Sequence, residues 1–277
     1  MKITEIIKDA FLFPSKNTGR FAIYLLLSVI MIGFVLGGLF TWAFGFVNKE
    51  NYLIGGFYFV IAMIIGFIVI GYHIKIVKSG IEHDNNVPVF ELYNDFMTGF
   101  DNIVLLIGYT IVLILITVVV GYGSNLFANI ADLFQEIVLE VFNVYIMGDP
   151  IDSAVNALSP TIGNFANSLS ITLTIATILF VIFSILYYVA EARLANTGSL
   201  TEAFNVFETV KDITRIGVGK TILLIISIIL IIGIIETILV IALSYVPFLL
   251  SVIYIIMTPY MGLVAQRAVG LLYSDIA

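Results

Sequence analysis

The chain is 277 residues long, 61% of them hydrophobic and only 11% charged, where a soluble domain has roughly 45–50% and about 25%. That much apolar surface excludes a water-soluble fold. The formal charge of −7 argues against nucleic acid and anionic headgroups as partners, since both need clustered Lys and Arg. The absence of cysteine excludes disulfides, thiolate catalysis and cysteine-held metals. Two histidines, His73 and His83, are too few for a histidine-rich metal site, and no metal or cofactor is expected.

From the start, MKITEIIKDAFLFPSKNTGR mixes acids and bases on an amphipathic pattern and does not read as a cleavable signal peptide. Six apolar runs follow: Phe21 to Val47, Tyr52 to Tyr72, Ile103 to Tyr122, Ile171 to Ala190, Ile222 to Tyr245 and Phe248 to Ala265. Each is long enough to cross a hydrocarbon core of about 30 Å, with its backbone groups bonded internally as lipid requires. Some fifteen Ile or Leu residues at about −0.5 kcal/mol each outweigh one buried charge at about +3 kcal/mol. The segment from Leu126 to Met147 carries Asp132, Glu136 and Glu140, which would cost roughly 9 kcal/mol at depth. Its apolar Ile130, Phe134, Ile137, Val141 and Tyr145 recur at helical spacing, which predicts an interfacial helix. A second such stripe, Ile151, Val155, Leu158, Ile162 and Phe165, is expected to break at Pro160.

Basic residues near the span ends set the orientation. With the N-terminus inside, Lys2, Lys8, Lys16, Arg20, Lys75, Lys78, Arg193, Lys211, Arg215, Lys220 and Arg267 all fall in the cytoplasm, and only Lys49 falls outside. The segment from Gly123 to Ser170 has five acids and no base. The expectation is a multi-pass protein of the cell membrane, in contact with the lipid bilayer, with both ends cytoplasmic.

Before the first, third and fifth spans stands a short amphipathic stretch: Ile3, Ile6, Ile7, Ala10 and Phe11; Phe90, Tyr93, Met97 and Phe100; Leu200, Phe204, Phe207, Val210 and Ile213. These suggest a pseudo-repeat of two complete units and a third split between the chain ends. The competing reading, of equal weight, is that polytopic proteins generally have amphipathic linkers.

The stretch GYHIKIVKSGIEHDNNVPVFELYNDFMTGF runs from Gly71 and Tyr72 through Pro88 and Phe90 to Gly99. It resembles an uncharacterised family of archaeal polytopic membrane proteins, domain of unknown function 4013. The loop has His83, Asp84, Asn85 and Asn86 where that family usually has a glycine. More distantly, the layout resembles the membrane domain attached to some glycerophosphodiester phosphodiesterases, without their catalytic barrel. Neither resemblance implies an activity or a functional residue.

Glu236 is the one acid deep in a run, about 5 Å from the midpoint of the fifth helix, and is the candidate intramembrane polar site. Proton coupling or cation binding is its functional reading. A protonated carboxyl bonded to a carbonyl, or to a hydroxyl such as Thr237, is the structural one. Gly217, Gly219, Lys220 and Thr221 resemble the tail of a phosphate-binding loop, but the motif's first glycine would stand at Thr214 and no strand precedes it. Gly33, Gly37 and Gly38 form a small-residue surface suited to packing within the bundle. Pro247 and Pro259 can kink the last span. Asp149 and Asp152 read as a solvated turn, and Glu191, Arg193, Tyr187 and Tyr188 as an interfacial anchor.

The sequence therefore predicts a single all-α membrane domain over residues 1–277, about six spans with interfacial helices. No catalytic constellation is present and an enzyme is not expected. A small-solute or lipid transporter is the leading reading. A membrane-embedded scaffold or accessory subunit is the alternative, and the pattern does not specify a protein partner or a homo-oligomer.

Overall fold

A computed structural model describes residues 1–46 and 48–277; Val47, the last residue of the first predicted run, lies outside them. The described residues form helices and no strand. In chain order these are α1 (Ile3–Leu12), α2 (Thr18–Ala43), α3 (Glu50–Ile81), α4 (Leu92–Gly123), α5 (Leu126–Phe142), α6 (Ile151–Thr197), α7 (Leu200–Ala203), α8 (Val206–Ile216), α9 (Val218–Leu243) and α10 (Pro247–Tyr273). Six helical stretches, built on α2, α3, α4, α6, α9 and α10, are long and apolar enough to cross a bilayer. The chain is a multi-pass membrane protein.

The helix ends differ from the sequence expectation in physically legible ways. The stretch before the third span is not a separate interfacial helix: Tyr93, Met97 and Phe100 lie in the first turns of α4, which continues unbroken into the apolar run. The other two stretches are separate because each is followed by a breaker. Between α1 and α2 a 3₁₀ turn over Pro14–Asn17 intervenes, and Asn17 caps α2 by accepting the Arg20 N–H at 3.0 Å. Between α8 and α9 stands Gly217 with φ +104°, a backbone angle open to glycine and strained for other residues. Pro160 does not break its helix either: α6 runs 47 residues through it. The missing N–H forfeits one bond to the Asn156 carbonyl, and the remaining turns hold. At 1.5 Å per residue α6 is about 70 Å long, more than twice the hydrocarbon thickness. Pro259 likewise lies inside an uninterrupted α10. The segment from Leu126 forms α5 as expected, without a buried residue, and closes in a π turn at Asn143–Met147.

Two compact units share the chain. The first comprises residues 1–106 and 185–277. Its core joins Phe13, Tyr24, Val69, Tyr72, Ile76, Val87 and Leu263, with the Tyr72 ring stacked on Phe90 at 3.9 Å between centroids. Glycines let the backbones approach within this unit. A Cβ on Gly71 would stand 1.7 Å from the Asp95 carbonyl oxygen, and one on Gly99 1.8 Å from that of Phe67, so α3 and α4 touch main chain to main chain. Gly80 and Gly270 do the same for α3 and α10. On α2, Gly37 and Gly38 meet Tyr58 and Phe59 of α3, while Gly33 has open space beside it. At the end of α3, His83 takes φ +53°, the left-handed turn in which helices commonly place glycine.

The second unit comprises residues 107–184. Within it the Ser124 and Thr172 hydroxyls bond at 2.8 Å, and the Asn129 amide donates to the Asn164 carbonyl at 3.2 Å. Its apolar side chains are largely exposed, among them Ile114, Leu115, Val119, Leu173 and Phe180, as befits residues whose surroundings are lipid.

Gly71→Ala is expected to destabilise the protein by about 3 kcal/mol or more, the upper range for overpacking, because its neighbour is backbone and has no side chain to swing aside. Gly33→Ala should leave stability unchanged. Thermal unfolding of both variants in detergent checks the contrast, and equal behaviour would contradict the close crossing.

Candidate functional site

In the first unit a recurring ion pair joins the end of a span to an amphipathic stretch. Lys75, late in α3, meets Asp95 of α4 at 2.7 Å. Arg193, late in α6, meets Asp212 of α8 at 2.7 Å. Arg267, late in α10, meets Asp9 of α1 at 2.9 Å. In sequence the aspartate follows the cation by 20 residues in the first pair and 19 in the second, while the third pair is divided between the two ends of the chain. Four residues before each aspartate stands a glutamate: Glu91, Glu208 and Glu5. The three units expected from hydrophobic pattern alone thus carry a common polar signature, a cation followed by Glu-x-x-x-Asp.

Each pair is bound into further bonds, which desolvated charges require. Asp95, fully buried, also accepts the Glu91 backbone N–H at 2.7 Å, and Lys75 reaches the Glu91 carboxylate at 3.1 Å and the Val89 carbonyl at 3.3 Å. Asp212 accepts the Tyr273 hydroxyl at 2.7 Å, while Arg193 donates to Glu202 at 2.8 Å. The Arg267 guanidinium, also fully buried, donates to the Ser79 hydroxyl at 3.1 Å and the Asp84 carbonyl at 2.8 Å. It lies 4.2 Å from the Phe13 ring centroid, a cation–π contact.

A different polar cluster lies near the second pair. Glu191, two residues before Arg193 on α6, is 1% exposed. Its Oε1 accepts the Asn102 amide of α4 at 3.0 Å, and the Tyr187 hydroxyl donates to Asn102 Oδ1 at 3.2 Å. Gln266, on α10, is within hydrogen-bonding reach of the same carboxyl. Glu191 Oε2 and Gln266 Oε1 are buried without a hydrogen-bond partner. Among the described residues Glu191 makes no ion pair, since Arg193 and Arg267 are committed to Asp212 and Asp9. On α3, one further polar contact joins the His73 Nε2 to the Tyr24 hydroxyl at 2.6 Å.

The sequence candidate Glu236 lies half-buried on α9, and among the described residues it has no hydrogen-bond partner; the Thr237 hydroxyl donates instead to the Gly233 carbonyl at 2.7 Å. Lys220, of the rejected phosphate-loop motif, sits at the start of α9 in an ion pair with Asp275. Glu191 is not the interfacial anchor expected from its place at a span end, because the face of α6 that carries it turns toward Asn102. Its signal in the sequence was the amide-bearing pair Asn102 and Gln266 at matching span ends, and that of the ion pairs was the Glu-x-x-x-Asp spacing. Asp149 and Asp152 remain an exposed pair, and no cluster of three metal-binding side chains occurs among the described residues.

Carboxylates outside the spans show the reach of the surface pairs. Hydrogen bonds from Asn94 and Lys75 hold Glu91 below the usual carboxylate range, and a bond from Lys211 does the same for Glu208. Burial works to raise Asp275, but bonds from Lys220 and from the Met1 amine, the latter 2.9 Å away, outweigh it and lower its pKa.

Asp95→Asn should destabilise the protein by about 3 kcal/mol, the low end for breaking a buried pair, since Lys75 keeps Glu91. The double variant Lys75→Met with Asp95→Leu should recover most of that loss in a denaturation series. A carboxyl whose pKa is lowered on folding stabilises the folded state above its ordinary value of 3.8, and that contribution disappears as pH falls through the folded value. The melting-temperature gap between wild type and Asp275→Asn should therefore be constant above about pH 5 and close below about pH 4.

Comparison with curated proteins and with solved structures gives no match. A family model described as a protein of unknown function, DUF4013, matches residues 54–245. That stretch contains two of the three ion pairs, Lys75 with Asp95 and Arg193 with Asp212, and the Glu191–Asn102 bond. It covers more than half of the chain, and the chain belongs to this family.

Proposed function

We propose that this protein carries a small solute or a lipid across the cell membrane. The observation behind this reading is Glu191, an acid fully buried where α4, α6 and α10 meet, without a compensating cation. An ionisable group in such a place is costly, and in membrane proteins that cost usually goes with ion coupling or substrate binding. Glu236, half-buried in α9, is a second acid that such a carrier would use. The protein has both ends in the cytoplasm: Met1 and Asp275 lie together, and the basic residues concentrate at that end of the spans.

A second reading, a scaffold or accessory subunit, is favoured by α8, whose Phe207 and Val210 are exposed. Purification from its own membranes in mild detergent separates the two, since a scaffold brings a stoichiometric partner with it and a carrier comes alone. For the carrier, purified protein in liposomes should support flux of a candidate solute or lipid reporter, and Glu191→Gln or Glu236→Gln should reduce it at least tenfold. Absence of flux across a panel of amino acids, sugars, ions and fluorescent lipids, with no effect of either substitution, would reject transport.

A further inference from the structure

A carboxyl removed from water needs its lone pairs and its charge accounted for within the protein. Glu191 meets neither need as an anion. One oxygen accepts a single amide bond from Asn102, the other is buried with no donor, and no cation pairs with the group. The charged and titratable side chains on the three packed helices are engaged elsewhere or are neutral. On α6, Arg193 is bound to Asp212 and Glu202, and Tyr187 donates to Asn102, with Tyr188 beside it. On α10, Arg267 is bound to Asp9 and Tyr273 donates to Asp212. On α4 the residue before Asn102 is Asp101, itself an acid.

Gln266 supplies the complementary fact. The Gln266 side chain reaches the carboxyl, and its own Oε1 is buried without a donor. A hydrogen on Glu191 Oε2 removes the charge and relieves a buried lone pair that no donor reaches.

We propose that Glu191 is a proton-binding site, carrying at neutral pH a proton on Oε2, the buried oxygen that no donor reaches. Loading is a simple association: a proton from solvent forms one O–H bond on the carboxylate, the charge falls by one, and no other bond changes. Release leaves a buried anion with a single amide bond from Asn102 and no cation beside it, the costlier of the two states. This deepens the carrier reading by naming the proton as its coupling ion, and it rests on that reading only for its use in transport.

Infrared difference spectra of the protein in lipid nanodiscs test it. The expected result at neutral pH is a carboxylic-acid carbonyl band that shifts in heavy water, is lost in Glu191→Gln and persists in Glu236→Gln. Glutamine reproduces the neutral donor and acceptor, so Glu191→Gln should melt within about 2 °C of wild type, whereas Glu191→Ala should melt clearly lower. If the variant fails to fold, a pH series on wild type alone decides, by whether the band fades as the solution is made alkaline. Absence of the band in wild type would overturn the proposal. So would a melting temperature that rises with Na⁺ but not choline and loses that response in Glu191→Gln, which would make the ligand an alkali cation. Flux without the band leaves transport standing and removes the proton, while the band without flux does the reverse.

Discussion

Hydrocarbon offers no hydrogen bonds and no solvation for charge, and this one property of the solvent governs where each polar group of the protein can be. The apolar runs answer it with continuous helix. At the ends of those runs, where the spans turn back, the charges that remain are drawn into partners. Lys75, Arg193 and Arg267 each find an aspartate on an amphipathic stretch. The amphipathic stretches are thereby held against the spans by pairing as well as by apolar contact, with Ile6, Ala10, Phe13, Ile213 and Ile216 buried beside the charged pairs.

Glycine acts in concert with these pairs. The main chains of α3 and α4 come together at Gly71 and Gly99, and those of α3 and α10 at Gly80 and Gly270. Close backbones bring the Lys75 stem within reach of Asp95 and the Arg267 guanidinium within reach of Ser79. Packing in this unit is thus set by the smallest side chains and fastened by the longest ones. The left-handed turn at His83 follows Gly80 at the end of α3, a backbone angle at which helices commonly place glycine.

What was legible in the sequence was what depends on transfer free energy. Runs such as Ile103 to Tyr122 state their own fate, and the three acids of α5 state theirs. Helix limits were less legible, since α4 and α6 extend through amphipathic turns whose composition alone suggests a boundary, and Pro160 removes one bond from a helix that has many. Glu191 was misread for a different reason. Whether an acid at a span end faces water or the interior depends on the rotation of its helix, and that rotation is fixed by Asn102, 89 residues earlier, and by Gln266. Glu236 was singled out by depth, which can be counted along the chain, whereas partnership cannot.

The three ion pairs differ in how far apart their members stand in the chain, and this bears on the order of assembly. Lys75 with Asp95 and Arg193 with Asp212 are each contained within one short hairpin, so their loops close at small entropic cost as soon as the second helix emerges. Arg267 and Asp9 are 258 residues apart, and α1 must wait for α10 to be synthesised before its aspartate is met. The first amphipathic helix is thus an early-made piece whose ionic partner is among the last residues of the chain to be made, and the pair ties the start of the fold to its end.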